Sequence, residues 1–137
     1  MEIEIKRIND KFHFSGANEI DTVNIGASPV LGDTENGFRP MQLMLVSLGS
    51  CMSIDVLNML YKGRQEVEAY HVKVSADRTD DMPAIFKNIL IEIFVKGDVS
   101  EDRLAKAINL SRDKYCSVYK IMSQTARIDI KYYLNEV

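Results

Sequence analysis

From Met41 to Leu60 the chain places apolar side chains on nearly every side of a helix: Met41, Leu43, Met44, Leu45, Val46, Leu48, Met52, Ile54, Val56, Leu57, Met59 and Leu60. A helix that is apolar on most faces is buried on most faces. A single mixed sheet from the rest of a 137-residue chain covers one side of such a helix. The pattern therefore predicts that a second copy covers the other side, in a homodimer. Pro40 suits the first turn, where its missing N–H is not needed. Gly63 suits a left-handed cap after Lys62. A membrane span needs about 20 mostly apolar residues with few or no charges, whereas this stretch holds Gln42, Asp55, Asn58 and several serines. It reads as a buried core helix, with no membrane partner expected.

One narrow polar stripe interrupts the apolar surface. Ser47, Cys51, Asp55, Asn58 and Lys62 follow one another at intervals of three or four, so they line up along the helix. Buried polar groups need partners or a water-lined cavity. The stripe is the first place to look for a site.

The other elements follow from period and punctuation. Residues 2–8 alternate Ile3, Ile5 and Ile8 against charges, Phe12 and Phe14 mark a second strand, and Ile20 to Ile25 a third. Gly26 to Gly37 has the composition of a surface loop. Strands are predicted at 67–77 and 86–96, joined as a hairpin through a turn over Thr79–Pro83. Ser100 is a good N-cap for a helix that opens with Glu101 and Asp102. Leu104, Ile108, Ser111 and Tyr115 share a face at helical spacing, and a further helical stretch carries Cys116 to about Gln124. A strand from Arg127 to Leu134 ends the sequence. The order is βββ-α-ββ-α(α)-β, an α+β chain read as a single domain over residues 1–137.

Charge argues against one broad class of function. The formal net charge is −3, with 17 basic and 20 acidic residues interspersed, and a nucleic-acid binder would show a clustered basic surface. No nucleic acid is expected as a partner. The start of the sequence alternates charged and apolar residues and offers no continuous apolar h-region, so no secretory signal is expected and the location is read as cytoplasmic.

That compartment keeps thiols reduced, so the two cysteines are not read as a permanent staple. Cys51 and Cys116 stand 65 positions apart, and neither histidine, His13 or His71, lies near a cysteine in sequence. The clustered ligand spacing of a zinc site is absent, and neither metal nor cofactor is expected. By spacing alone each cysteine reads first as a small packed residue, because only the thiolate is nucleophilic. Cys51 lies some three turns into the helix, beyond the reach of its N-terminus unless Gly49-Ser50 marks a break. Asp55, one turn on, would raise a thiol pKa if charged and unpaired.

A longer string adds to this. The run from Arg39 to Val56, RPMQLMLVSLGSCMSIDV, resembles the central-helix signature of the OsmC-like family, closest to its YhfA-like branch with Gly-x-Cys-x-x-Ile-Asp-Val. The similarity continues through Lys62-Gly63-Arg64-Gln65, Pro83 and Phe86, and through Asp113-Lys114-Tyr115-Cys116-Ser117-Val118. It covers roughly residues 38–137. What it implies is an intertwined homodimer with the central helices packed between wrapped sheets, and thiol peroxidase chemistry. Cys51 would be the peroxidatic residue, attacking an organic hydroperoxide. Cys116 would be the resolving residue, and a thiol reductant, unknown here, would reopen the disulfide.

Two positions differ from the hydroperoxide-reducing branch. Met41 stands where that branch has a Glu after the proline, and Arg7 is the only arginine in the N-terminal strands. Arg39 and Arg78 are the substitute cations to examine, with Asp55 as a supporting residue. The rival reading is a dimer that binds a small apolar molecule along the Met-rich helix (Met41, Met44, Met52, Met59) without chemistry. A third is a housekeeping dimer whose cysteines are remnants.

Overall fold

The structure, a computed structural model, describes residues 1–32 and 37–136. The chain forms two compact units, Met1–Met44 and Leu45–Val137. In the first, β1 (Glu4–Arg7), β2 (Phe14–Ala17) and β3 (Thr22–Ile25) form an antiparallel meander in the order β1-β2-β3. These strands are shorter than the apolar alternation suggested, because Asn9 and Asn18 pull the chain into turns. The Asn9 side chain accepts from the backbone of Lys11 and His13, and that of Asn18 from Ile20 and Asp21.

A 3-10 turn at Pro29–Leu31 lies in the expected loop, whose residues 33–36 fall outside the described residues. The chain then returns to β3 through a bridge from Phe38 to Ile25. Gly37, at φ +60°, makes that return possible, since a Cβ there would collide with the Asn24 carbonyl. One face of the meander leaves a 360 Å³ hollow lined in part by Ile3, Ile5, Val23, Ile25 and Leu43.

The helix predicted from Pro40 to Lys62 is present with those bounds as α1. It runs unbroken through Gly49-Ser50. Its serines are accommodated by back-bonding to the previous turn, Ser50 Oγ to the Val46 carbonyl at 2.7 Å and Ser53 Oγ to that of Gly49 at 2.6 Å.

In the second unit α1 lies on a three-stranded sheet of order β4-β5-β6, from β4 (Glu66–Arg78), β5 (Phe86–Asp98) and β6 (Arg127–Leu134). The β4–β5 pair is the expected antiparallel hairpin, and its turn contains a cis Met82–Pro83 peptide. The β5–β6 pair is parallel and needs a crossover. That crossover carries α2 (Glu101–Leu110), a π turn (Ser111–Tyr115) and α3 (Ser117–Met122). Ser100 caps α2, its Oγ accepting from the Arg103 N–H at 3.4 Å.

Strand periodicity assigns the two faces of this sheet. Ile89, Ile91, Ile93 and Val95 alternate along β5 and are fully buried, in register with Val72 and Val74 of β4. Leu48, Met52, Val56 and Leu60 form the matching buried row of α1. Gly49 sets the distance, because a Cβ there would come within 3.0 Å of a Val74 methyl. On the opposite face His71, Phe94 and Tyr133 stack across the three strands, with ring centroids 4.4 and 4.8 Å apart. A 610 Å³ hollow beside them is lined by His71, Phe94, Tyr133, Lys96 and Glu136 among others.

The all-round burial expected of α1 is not met within one chain. Met44, Val46, Ile54 and Tyr61 are exposed, Ile54 to 68%. By length and composition α1 is long and apolar enough to cross a membrane. Here one side is sealed by the sheet, and Asp55 is tied to the crossover.

Candidate functional site

The polar stripe of α1 divides in two. Ser47, Asn58 and Lys62 are exposed, while Cys51 and Asp55 are half-buried. One sulfur from Cys51, one from Cys116 and one carboxylate oxygen from Asp55 lie within 4.8 Å of one another. Both cysteines are free thiols.

Each member is positioned by a different local device. Cys51 and Asp55 are one helical turn apart on α1 and so project together. Cys116 is delivered by the π turn. Its N–H donates to the Ser111 carbonyl five residues back, at 2.8 Å, so this turn holds one more residue than an α-turn. The extra residue ends the regular spacing that put Tyr115 with Leu104, Ile108 and Ser111. Those three are buried, but Tyr115 is 51% exposed and Cys116 takes the inward position.

Ser111 completes the cluster. It is fully buried, and its Oγ donates to Asp55 Oδ2 at 2.9 Å. Sequence reasoning placed Ser111 on the buried face without giving it a role. The available signal was a hydroxyl on an otherwise apolar stripe, which must find a partner when buried.

Cys116 is the N-cap of α3, and its sulfur accepts from the Tyr119 N–H at 3.3 Å. That bond favours the thiolate, but stronger effects oppose it. Burial first, then the hydrogen bond with Cys51 and the negative charge of Cys51 and Asp55, push the Cys116 thiol from 9.0 up to about 12. A raised thiol pKa leaves less thiolate at any given pH. In metal-free reduced protein, Cys116 alkylation should therefore keep rising by about tenfold per pH unit above pH 9.0, levelling off only near 12. Peptide-resolved iodoacetamide kinetics checks this, and a plateau by about pH 9 would contradict it.

The expected cations stand differently. Arg78, at the end of β4, donates from Nη2 to the Ala84 carbonyl at 2.6 Å. Among the described residues no ion pair joins it to Asp55. Arg39 belongs to the first unit, where its backbone N–H donates to Gln42 Oε1 at 3.0 Å and fixes the start of α1. Arg7 donates to the Lys11 carbonyl at 3.0 Å. Of the four methionines in the ligand-binding alternative, Met52 is sealed in the core. Met59 borders a 270 Å³ hollow with Lys62, Arg103 and Lys106. None of the four lines the 610 Å³ hollow.

Known proteins share this architecture. The family model described as OsmC-like protein matches residues 32–131. Protein YhfA of Escherichia coli K12 is 36% identical over 107 residues, which is 75% of this chain and 80% of YhfA. The crystal structure of a hypothetical protein from Aquifex aeolicus VF5 superposes with a TM-score of 0.82 at 31% identity, covering 98% of this chain and 97% of that one. An organic hydroperoxide resistance protein OsmC from Legionella pneumophila superposes at 0.70 and 10% identity, with 96% of each chain covered, a likeness of fold alone. The mixed α+β order predicted from the sequence is the one observed, and the chain belongs to the OsmC-like family, on the side of YhfA.

Proposed function

We propose that this protein is a homodimeric thiol peroxidase that reduces organic hydroperoxides, with Cys51 as the attacking residue and Cys116 as the resolving one. The observation that carries the reading is the approach of the two sulfurs to within 4.8 Å across 65 positions of sequence. Cys51 is the more exposed of the two, and Cys116 is held as a thiol at neutral pH.

The Cys51 sulfur attacks the terminal oxygen of the hydroperoxide. The O–O bond breaks, the alcohol leaves after taking a proton, and Cys51 becomes a sulfenic acid. The Cys116 sulfur then displaces hydroxide, which departs as water with the Cys116 proton, and a disulfide forms. An external dithiol reopens it by exchange. Asp55, fixed by Ser111, holds a carboxylate oxygen within 4.8 Å of both sulfurs. Free thiols and this chemistry fit a reducing cytoplasm.

Without the Glu replaced by Met41, turnover should be slow. An organic hydroperoxide should be preferred over hydrogen peroxide, because apolar residues of α1 flank Cys51. The test is dithiol-coupled consumption of cumene hydroperoxide and of hydrogen peroxide by the reduced dimer. Faster loss of the organic substrate supports the reading. Consumption of cumene hydroperoxide no faster than in dithiol alone overturns it.

A further inference from the structure

We propose that the cluster is also a zinc site, with Cys51 Sγ, Cys116 Sγ and an Asp55 carboxylate oxygen as its three protein ligands. Sequence spacing argued against a metal centre, because the ligands are not neighbours in the chain. The fold gathers them all the same.

The donor set suits a borderline-soft divalent ion. Two thiolates and one carboxylate are all common zinc ligands. In a tetrahedral site with Zn–S about 2.3 Å, two sulfurs sit about 3.8 Å apart. The three donor atoms already lie within 4.8 Å of one another, so each needs to move by well under about 1 Å to meet one ion.

The surroundings resemble a built site in two further respects. Cys51 and Asp55 sit at i and i+4 on a continuous helix, which fixes two ligands on one rigid element. Ser111, fully buried, donates to Asp55 Oδ2 at 2.9 Å and so fixes the orientation of the carboxylate. Among the described residues no fourth His, Cys, Asp or Glu belongs to the cluster. The fourth position is therefore open to water or a small ligand, the arrangement of three-ligand zinc centres.

Zinc and the disulfide compete for the same two sulfurs. Oxidation of the zinc form balances as Zn(SR)2 + R′OOH + 2H⁺ → Zn²⁺ + RSSR + R′OH + H2O. Two thiolate sulfurs lose two electrons, the peroxide gains them, and the ion is released. The bound ion holds the pair reduced until a hydroperoxide ejects it.

The test needs no peroxide, so it stands apart from the peroxidase reading. Reduced, chelator-stripped dimer is titrated with zinc against a chromophoric chelator, and in parallel with cobalt while sulfur-to-cobalt charge transfer is followed. The expected result is one zinc per chain with a Kd below about a micromolar, and cobalt spectra typical of thiolate ligation. Cys51→Ser and Cys116→Ser should each weaken binding at least about a hundredfold, and Asp55→Asn at least about tenfold. Wild-type chain oxidised to the 51–116 disulfide should bind none, a comparison that requires no substitution. Absence of stoichiometric binding by the reduced wild type, or equal binding by the reduced and disulfide forms, overturns the proposal.

Discussion

Replacing Cys51 by serine should reduce hydroperoxide turnover by on the order of a hundredfold or more, because a serine oxygen cannot take up the peroxide oxygen and supply the two electrons that a sulfur gives. The substitution removes one polarisable atom from a half-buried position of α1, so the fold should persist. Cys116→Ser should behave differently. Without added dithiol its Cys51 can still attack once, giving a single equivalent of alcohol per chain, and then stops at the sulfenic acid because Cys116 is no longer there to close the disulfide. Single-turnover and steady-state measurements together separate the two roles. Equal slow consumption by wild type and Cys51→Ser would mean that the thiol is a bystander.

Ile54→Glu should produce the second large effect, on assembly. Ile54 is 68% exposed on α1, and Val46 and Met44 are exposed at 47% and 41% on the same helix. Covering an isoleucine side chain is worth about 1.5–3 kcal/mol, and an unpaired carboxylate in an apolar interface costs several more. If a second copy covers this face, the substitution should weaken dimerisation by about a thousandfold. Sedimentation at low micromolar concentration should give twice the 15.6 kDa chain mass for wild type and a monomer, folded or not, for Ile54→Glu. A folded wild-type monomer would remove the reason for an interlocked assembly.

The bounds of α1 were legible, since Pro40 opens a continuous apolar run and Gly63 follows it, but the left-handed residue after the helix is Arg64, at φ 58°, and not Gly63. In the sequence β5 was legible too, where Ile89, Ile91, Ile93 and Val95 alternate. The short meander strands were less so. Asn9 and Asn18 redirect the backbone through side-chain bonds that periodicity does not register.

The site was legible only in halves. Cys51 and Asp55 stood out as a stripe, but spacing could not join them to Cys116, and the family resemblance supplied that pairing. The π turn was invisible to an argument built on an α-helical period, which is why Tyr115 was placed inward and Ser111 received no function. The break considered at Gly49-Ser50 is absent. The glycine is explained by Val74 against α1, not by the chemistry of Cys51.

Mass spectrometry of the reduced protein after one equivalent of organic hydroperoxide tests whether Cys51 and Cys116 work as a pair. The two sulfurs lie within 4.8 Å, so resolution should outrun further oxidation. The expected product is an intramolecular disulfide joining the Cys51 and Cys116 peptides, two hydrogens lighter than the reduced pair and reversed by dithiol. Sulfinic or sulfonic acid at Cys51, with Cys116 still a free thiol, would contradict it.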